Sequence, residues 1–170
     1  MVMELLFSRK VKVVLGMFFL TSISLQAQNK AINWLTFEQL EDSLAVKPKK
    51  VFIDFYADWC VYCKKMDEAA YKDPRVISIL NTDYYAVKMN AEASREIIFD
   101  GQRFTNKQFG KKRYPVHEIA LLLASREGIP FSLPAIVILD ESFTVTKRYF
   151  EYLSPKKMQI VLDVKSSLID

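Results

Sequence analysis

Residues 51–57 read Val-Phe-Ile-Asp-Phe-Tyr-Ala, a nearly unbroken apolar run of strand-forming side chains. Successive side chains of a strand point to opposite faces, so a run that is apolar at both parities must be covered on both sides. Such a strand belongs inside a sheet with helices on both faces, and the surrounding chain supplies them. Thr36-Phe37-Glu38-Gln39 has the form of a capping box. The helix it opens has Phe37, Leu40 and Leu44 on one face and stops before Pro48. A helix is expected from about residue 60 to 71, and Asp73-Pro74 starts a shorter one reaching about residue 80. Residues 84–89 form a second buried strand, 117–126 a helix with Ile119, Leu122 and Leu123 at helical spacing, and 135–139 a strong strand. Asp140-Glu141-Ser142 turns the chain, 144–149 returns as an edge strand, and Ser154 caps a last helix running from Pro155 to about residue 168. Strands alternating with helices predict an α/β fold, a central mixed sheet flanked by helices whose last two strands form a hairpin.

Residues 92–126 break this rhythm and form an insertion before the strand at 135. Asp100-Gly101 favours a type I′ hairpin over 97–104, followed by a loop containing Asn106, Gly110 and Pro115. Long loops often carry function, so the insertion is expected to select partners.

The 170 residues, 51% hydrophobic and 26% charged, suit one compact domain over 28–170. The net charge of +4 is interleaved along the chain with no concentrated basic face, so nucleic acid is not expected as a partner. With no Gly-rich phosphate loop, no cofactor is expected either. At the start, Arg9, Lys10 and Lys12 precede the apolar stretch 13–25 and then Gln26-Ala27-Gln28. That is the order of a secretory signal peptide over 1–27, cut after Ala27, which implies export. An uncut segment serving as an anchor is the alternative.

Both cysteines of the chain lie in Cys60-Val61-Tyr62-Cys63, where the buried strand hands over to a helix. A sulfur there meets unpaired backbone N–H groups that stabilise a thiolate, the nucleophile of disulfide exchange. Cys63, almost one turn on, is in reach to close a disulfide or to resolve a mixed one. Cys60 is accordingly expected to be the more exposed and more acidic of the two. C-x-x-C is also half a zinc site, but zinc needs two more ligands and only His117 remains, so no metal site is expected. A soft copper(I) site assisted by Met66 or Met89 stays open as a binding-module alternative.

The stretch 52–64, Phe-Ile-Asp-Phe-Tyr-Ala-Asp-Trp-Cys-Val-Tyr-Cys-Lys, resembles the active-site segment of the thioredoxin superfamily. The resemblance implies a thioredoxin-like fold and a redox-active Cys60–Cys63 pair. Trp59 matches the aromatic that packs beside the pair. Asp54 matches the family's buried acid, a carboxyl whose raised pKa suits proton transfer near neutrality. Lys88 takes the position of the acid's lysine partner. Pro134 interrupts the apolar stretch 131–137 and matches the family's cis-proline, with Pro130 as the rival candidate. A cis bond at Pro134 presents the Leu133 backbone to a bound cysteine-containing peptide, and Tyr62 completes the implied substrate surface. The Val-Tyr dipeptide, the insertion and the leader depart from ordinary thioredoxin and resemble exported thioredoxin-like reductases. These imply a periplasmic protein-disulfide reductase, with disulfide-containing client proteins and a membrane or envelope thiol donor as partners. The dipeptide tunes reduction potential, so the oxidising direction also stays open.

Overall fold

Five strands form the central sheet of the computed structural model, which describes residues 31–163. In chain order the elements are β1 (Trp34–Leu35), α1 (Phe37–Val46), β2 (Lys50–Tyr56), α2 (Val61–Glu68), a 3₁₀ turn (Ala70–Lys72) and α3 (Pro74–Asp83). They continue with β3 (Tyr84–Asn90), β4 (Ile97–Phe99), β5 (Gln102–Phe104), α4 (Glu118–Ala124), β6 (Ala135–Leu139), β7 (Val145–Tyr149) and α5 (Pro155–Leu162). The sheet order is β1-β3-β2-β6-β7. β1 and β2 run parallel to β3, while β6 is antiparallel to both β2 and β7. The sheet is therefore mixed, as the alternation of strands and helices predicts.

β2 is central, and its burial on both faces explains the apolar run. Val51, Ile53 and Phe55 join Val87, Met89 and Val137 in a layer covered by α1, α4 and the β4–β5 hairpin. Phe52 joins Ala86, Ile136 and Ile138 in the opposite layer, beneath Met66, Tyr71, Leu80 and Met158 of the other helices. Asp54 has the parity of Phe52 and so faces α2.

Local signals act as read. Thr36 Oγ1 accepts from the Gln39 N–H while Gln39 Oε1 accepts from the Thr36 N–H, closing the capping box. Asp100 (φ 52°) and Gly101 (φ 65°) both occupy the left-handed region that a type I′ turn requires. Ser154 and Pro155 start α5, which ends at Leu162 with Asp163 as an extended C-cap, short of the expected reach to 168; residues beyond 163 lie outside the described ones. The proposed leader, residues 1–27, also lies outside them. Among the described residues no helix is long and apolar enough to cross a membrane.

Three further boundaries differ from the sequence reading. β1 is new; its two residues carry no periodic pattern, and pairing with Ala86 and Val87 makes them a strand. The helix after the cysteines stops at Glu68, and a 3₁₀ turn follows because Asp73 already caps α3 through the Arg75 and Val76 N–H groups. α4 begins at Glu118, with His117 as its cap, and ends at Ala124.

Candidate functional site

β2 ends at Tyr56, and a short turn carries the chain into α2, closed by the Cys60 N–H donating to Ala57 O at 3.0 Å. Cys60 is the N-cap of α2. Its sulfur is bonded to that of Cys63, and Cys60 Sγ also accepts a hydrogen bond from the Cys63 N–H at 3.2 Å. The sequence pair is thus a disulfide at a helix start, with a backbone donor aimed at the first sulfur.

The expectation that Cys60 is clearly the more exposed sulfur is not met. Cys60 is 3% exposed and Cys63 2%, whereas Trp59, Val61 and Tyr62 are 50%, 73% and 57% exposed. The disulfide lies recessed between larger side chains that project past it. Tyr62 packs 6.2 Å from the Tyr152 ring, over which the Lys65 ammonium sits at 4.8 Å.

The Leu133–Pro134 bond is cis, and Pro130 is not the cis residue. Ala135 pairs with Phe55 in the β2–β6 register, so Pro134 lies at the same end of the sheet from which the chain departs toward Cys60. Leu133 and Trp59 line one cleft.

Asp54 is buried among apolar side chains under α2, whose inward positions are Cys63 and Met66. Burial pushes its carboxyl up to about 7. Lys88 opposes this from the paired position on β3, with its ammonium 3.7 Å from Asp54 Oδ2. The negative charge of Asp67 adds to the rise. Among the described residues neither Asp54 oxygen has a hydrogen-bond partner, nor has the Tyr71 hydroxyl. Lys88 has other partners besides Asp54. It forms a close ion pair with Asp67, and its ammonium lies 5.1–5.4 Å from the ring centres of Trp34, Tyr56 and Tyr71. Asp54 is therefore a buried carboxyl of raised proton affinity on the side of the sheet that α2 covers.

The insertion reaches this end of the molecule. Its stem closes where the His117 N–H donates to Ala91 O at 2.8 Å and the Glu118 N–H to Thr105 O at 3.0 Å. From it, Glu92 Oε1 accepts the Trp59 indole N–H at 2.8 Å, and the Tyr114 ring stands 5.0 Å from Trp59. The sequence carried no signal for Glu92 or Tyr114, because both contacts depend on how the insertion closes.

The His117 ring is taken up by structural partners. It is fully buried, its Nε2 bonds Arg95 O at 3.0 Å, and its Nδ1 accepts the Ile119 N–H at 3.3 Å. Those partners require the neutral ring protonated on Nε2, and burial lowers its pKa accordingly. The two methionines named for a copper site lie in opposite layers of the core, Met66 on the α2 side and Met89 on the α1 side. A copper site of the kind expected would therefore have only one of them beside it. Among the described residues no three His, Cys, Asp or Glu side chains converge to hold a metal ion.

The thioredoxin-like domain family matches residues 37–165. The thiol:disulfide interchange protein DsbD of Salmonella typhi is 42% identical over 60 residues, which are 35% of this chain and 10% of that protein. Its namesake from Vibrio vulnificus strain CMCP6 is 35% identical over 69 residues, 37% of this chain and 12% of that protein. The chain thus spans about a tenth of the length of these relatives. Among solved structures, a thioredoxin-fold protein from Helicobacter pylori superposes with a TM-score of 0.55 at 15% identity, covering 84% of this chain and 80% of that one. A thioredoxin from Thermus thermophilus gives 0.53 at 17% identity, covering 82% and 88%. The oxidoreductase DsbH gives 0.51 at 18%, covering 81% and 85%. At such identities these structures share the fold.

Proposed function

Because the chain belongs to the thioredoxin-like domain family, we propose that it is a thiol–disulfide oxidoreductase of the cell envelope that reduces disulfides in client proteins. The observation that carries this reading is the Cys60–Cys63 disulfide at the start of α2, with the Cys63 N–H directed at Cys60 Sγ. The shared name of the DsbD relatives, thiol:disulfide interchange protein, supports the exchange chemistry. The basic-then-apolar leader supports an exported, periplasmic location, whether the leader is cut after Ala27 or kept as an anchor.

In the reduced protein the Cys63 N–H and the first turn of α2 favour the Cys60 thiolate. That thiolate attacks one sulfur of a client disulfide. A Cys60–client bond forms, the client bond breaks, and the departing client sulfur takes up a proton. Cys63 gives its proton to Asp54, or to water, and attacks Cys60 Sγ. The Cys60–Cys63 bond closes and the second client sulfur leaves, taking a proton in turn. The client gains two electrons and two protons, and the protein becomes the disulfide seen here. A thiol donor of the envelope returns two electrons to restart the cycle. Trp59 and Tyr62 flank the recessed sulfurs, and the backbone of Leu133 before Pro134 offers a short extended edge for the client strand.

A Cys63→Ser variant tests this reading, since it halts the cycle at the mixed disulfide. Expressed with its leader, it is expected to accumulate Cys60-linked envelope proteins that dithiothreitol releases, whereas Cys60→Ser accumulates none. Equal trapping by both variants, or insulin reduction no faster than dithiothreitol alone, would refute the assignment. The direction is read from the reduction potential: about −270 mV fits a reductase, whereas about −120 mV fits an oxidase.

A further inference from the structure

The insertion builds more than a stem. A cleft of about 360 Å³ opens beside the cysteine pair, bounded by Trp59, Tyr114, Val116, Leu121, Phe131 and Leu133. Two of these, Trp59 and Leu133, belong to the surface that the redox reading gives to the client. The others come from the insertion or from the segment that leads to Pro134. Glu92, Gln108 and Lys112 also reach the cleft, but two of them are already engaged. Glu92 holds the Trp59 indole, and Gln108 Oε1 accepts the Val116 N–H at 3.2 Å. The Trp59 wall is fixed from two sides, by that 2.8 Å hydrogen bond and by the Tyr114 ring at 5.0 Å.

We infer that this cleft is a specificity pocket that takes a bulky apolar side chain of the client, next to the cysteine under attack. The inference rests on the thiol–disulfide reading and adds what that chemistry selects. The walls are mostly apolar, and the volume accommodates an aromatic ring. The charged groups that reach the cleft are one carboxylate, Glu92, and one ammonium, Lys112, which balance, so selection is by size and apolarity rather than by sign. The insertion thereby turns the flat edge beside the cysteines into a concave subsite. Glu92 and Tyr114 act as positioning residues, because they set the wall and do not touch the reacting sulfurs.

The test is a competition for Cys60 in the Cys63→Ser variant. The protein is equilibrated with two short peptides, one carrying Phe on both sides of its single cysteine and the other Gly, in a reduced and oxidised glutathione buffer. Each mixed disulfide forms when the Cys60 thiolate attacks the peptide sulfur of a peptide–glutathione disulfide. The Cys60–peptide bond forms, the peptide–glutathione bond breaks, and glutathione leaves as a thiolate that takes up a proton. Intact-mass spectrometry then gives the ratio of the two adducts. Burial of one aromatic side chain predicts a preference for the Phe peptide of about tenfold or more. Leu121→Trp, which fills the cleft, and Tyr114→Ala, which removes an exposed wall, are each expected to bring the ratio toward one. Because the two peptides compete for one sulfur, the ratio cancels any general change in Cys60 reactivity. Adducts that form in a ratio near one in the otherwise unmodified protein overturn the pocket and leave the redox reading standing. If no adduct forms with either peptide or with glutathione, the redox reading fails and the inference falls with it.

Discussion

Replacing Asp54 by Asn exchanges a buried, ionisable carboxyl for a neutral group of nearly the same shape. An ordinary Asp titrates at 3.8, whereas burial, opposed by Lys88 and reinforced by Asp67, pushes Asp54 up to about 7. Between these values the folded protein holds a proton that the unfolded chain has released. Stability therefore falls as pH rises through that window, and the whole penalty is in place above pH 7. The gap corresponds to about 4 kcal/mol at pH 8, and to only about 2 kcal/mol at pH 5. Asp54→Asn removes it. Relative to the unmodified protein, the variant is expected to gain about 2 kcal/mol or more of stability between pH 5 and pH 8. Any pH-independent difference between the Asn amide and a protonated Asp cancels in that comparison. Urea unfolding of both proteins at the two pH values, with the disulfide intact, gives the number. An equal stability difference at pH 5 and pH 8, or a variant that loses ground on the alkaline side, would show that Asp54 is not held protonated by burial.

Other expectations follow from the same geometry. Glu92→Ala releases the Trp59 indole; in a Trp34→Phe background its emission should shift to the red and become easier to quench, and an unchanged spectrum would mean that Glu92 does not fix the ring. His117 is buried neutral, so the unfolded chain takes up its proton first as pH falls below 6.5, and the stability this ring contributes is lost on the acid side. His117→Asn keeps a capping side chain without the titration, so it should gain on the unmodified protein between pH 7 and pH 5 in urea unfolding. Equal acid sensitivity would show that His117 is not the source of that loss.

The parts of the fold that were legible in the sequence are those governed by neighbours in the chain. The two-sided burial of β2, the capping box at Thr36, the Asp100–Gly101 turn and the cap at Ser154 each need only a few adjacent residues. The redox pair and the cis bond at Pro134 were readable for a similar reason, since each sits in a short stretch that resembles a known segment. What escaped depends on contacts between distant residues. Trp34 and Leu35 become a strand only because β3 lies beside them. His117 caps α4 instead of lying inside it because its N–H is drawn to Ala91, at the other end of the insertion. The sulfurs are recessed because the side chains around them project further, which the position at a helix start does not reveal. Glu92 and Tyr114 belong to the site through closure of the insertion, and their spacing from the cysteines has no pattern to betray them.

The proposed exchange requires a first sulfur held as an anion by the start of α2. The most direct measurement is the rate of iodoacetamide alkylation of Cys60 against pH in the Cys63→Ser variant. A midpoint clearly below that of a free thiol, about 8.5, is expected. A midpoint at or above the free-thiol value would contradict that requirement.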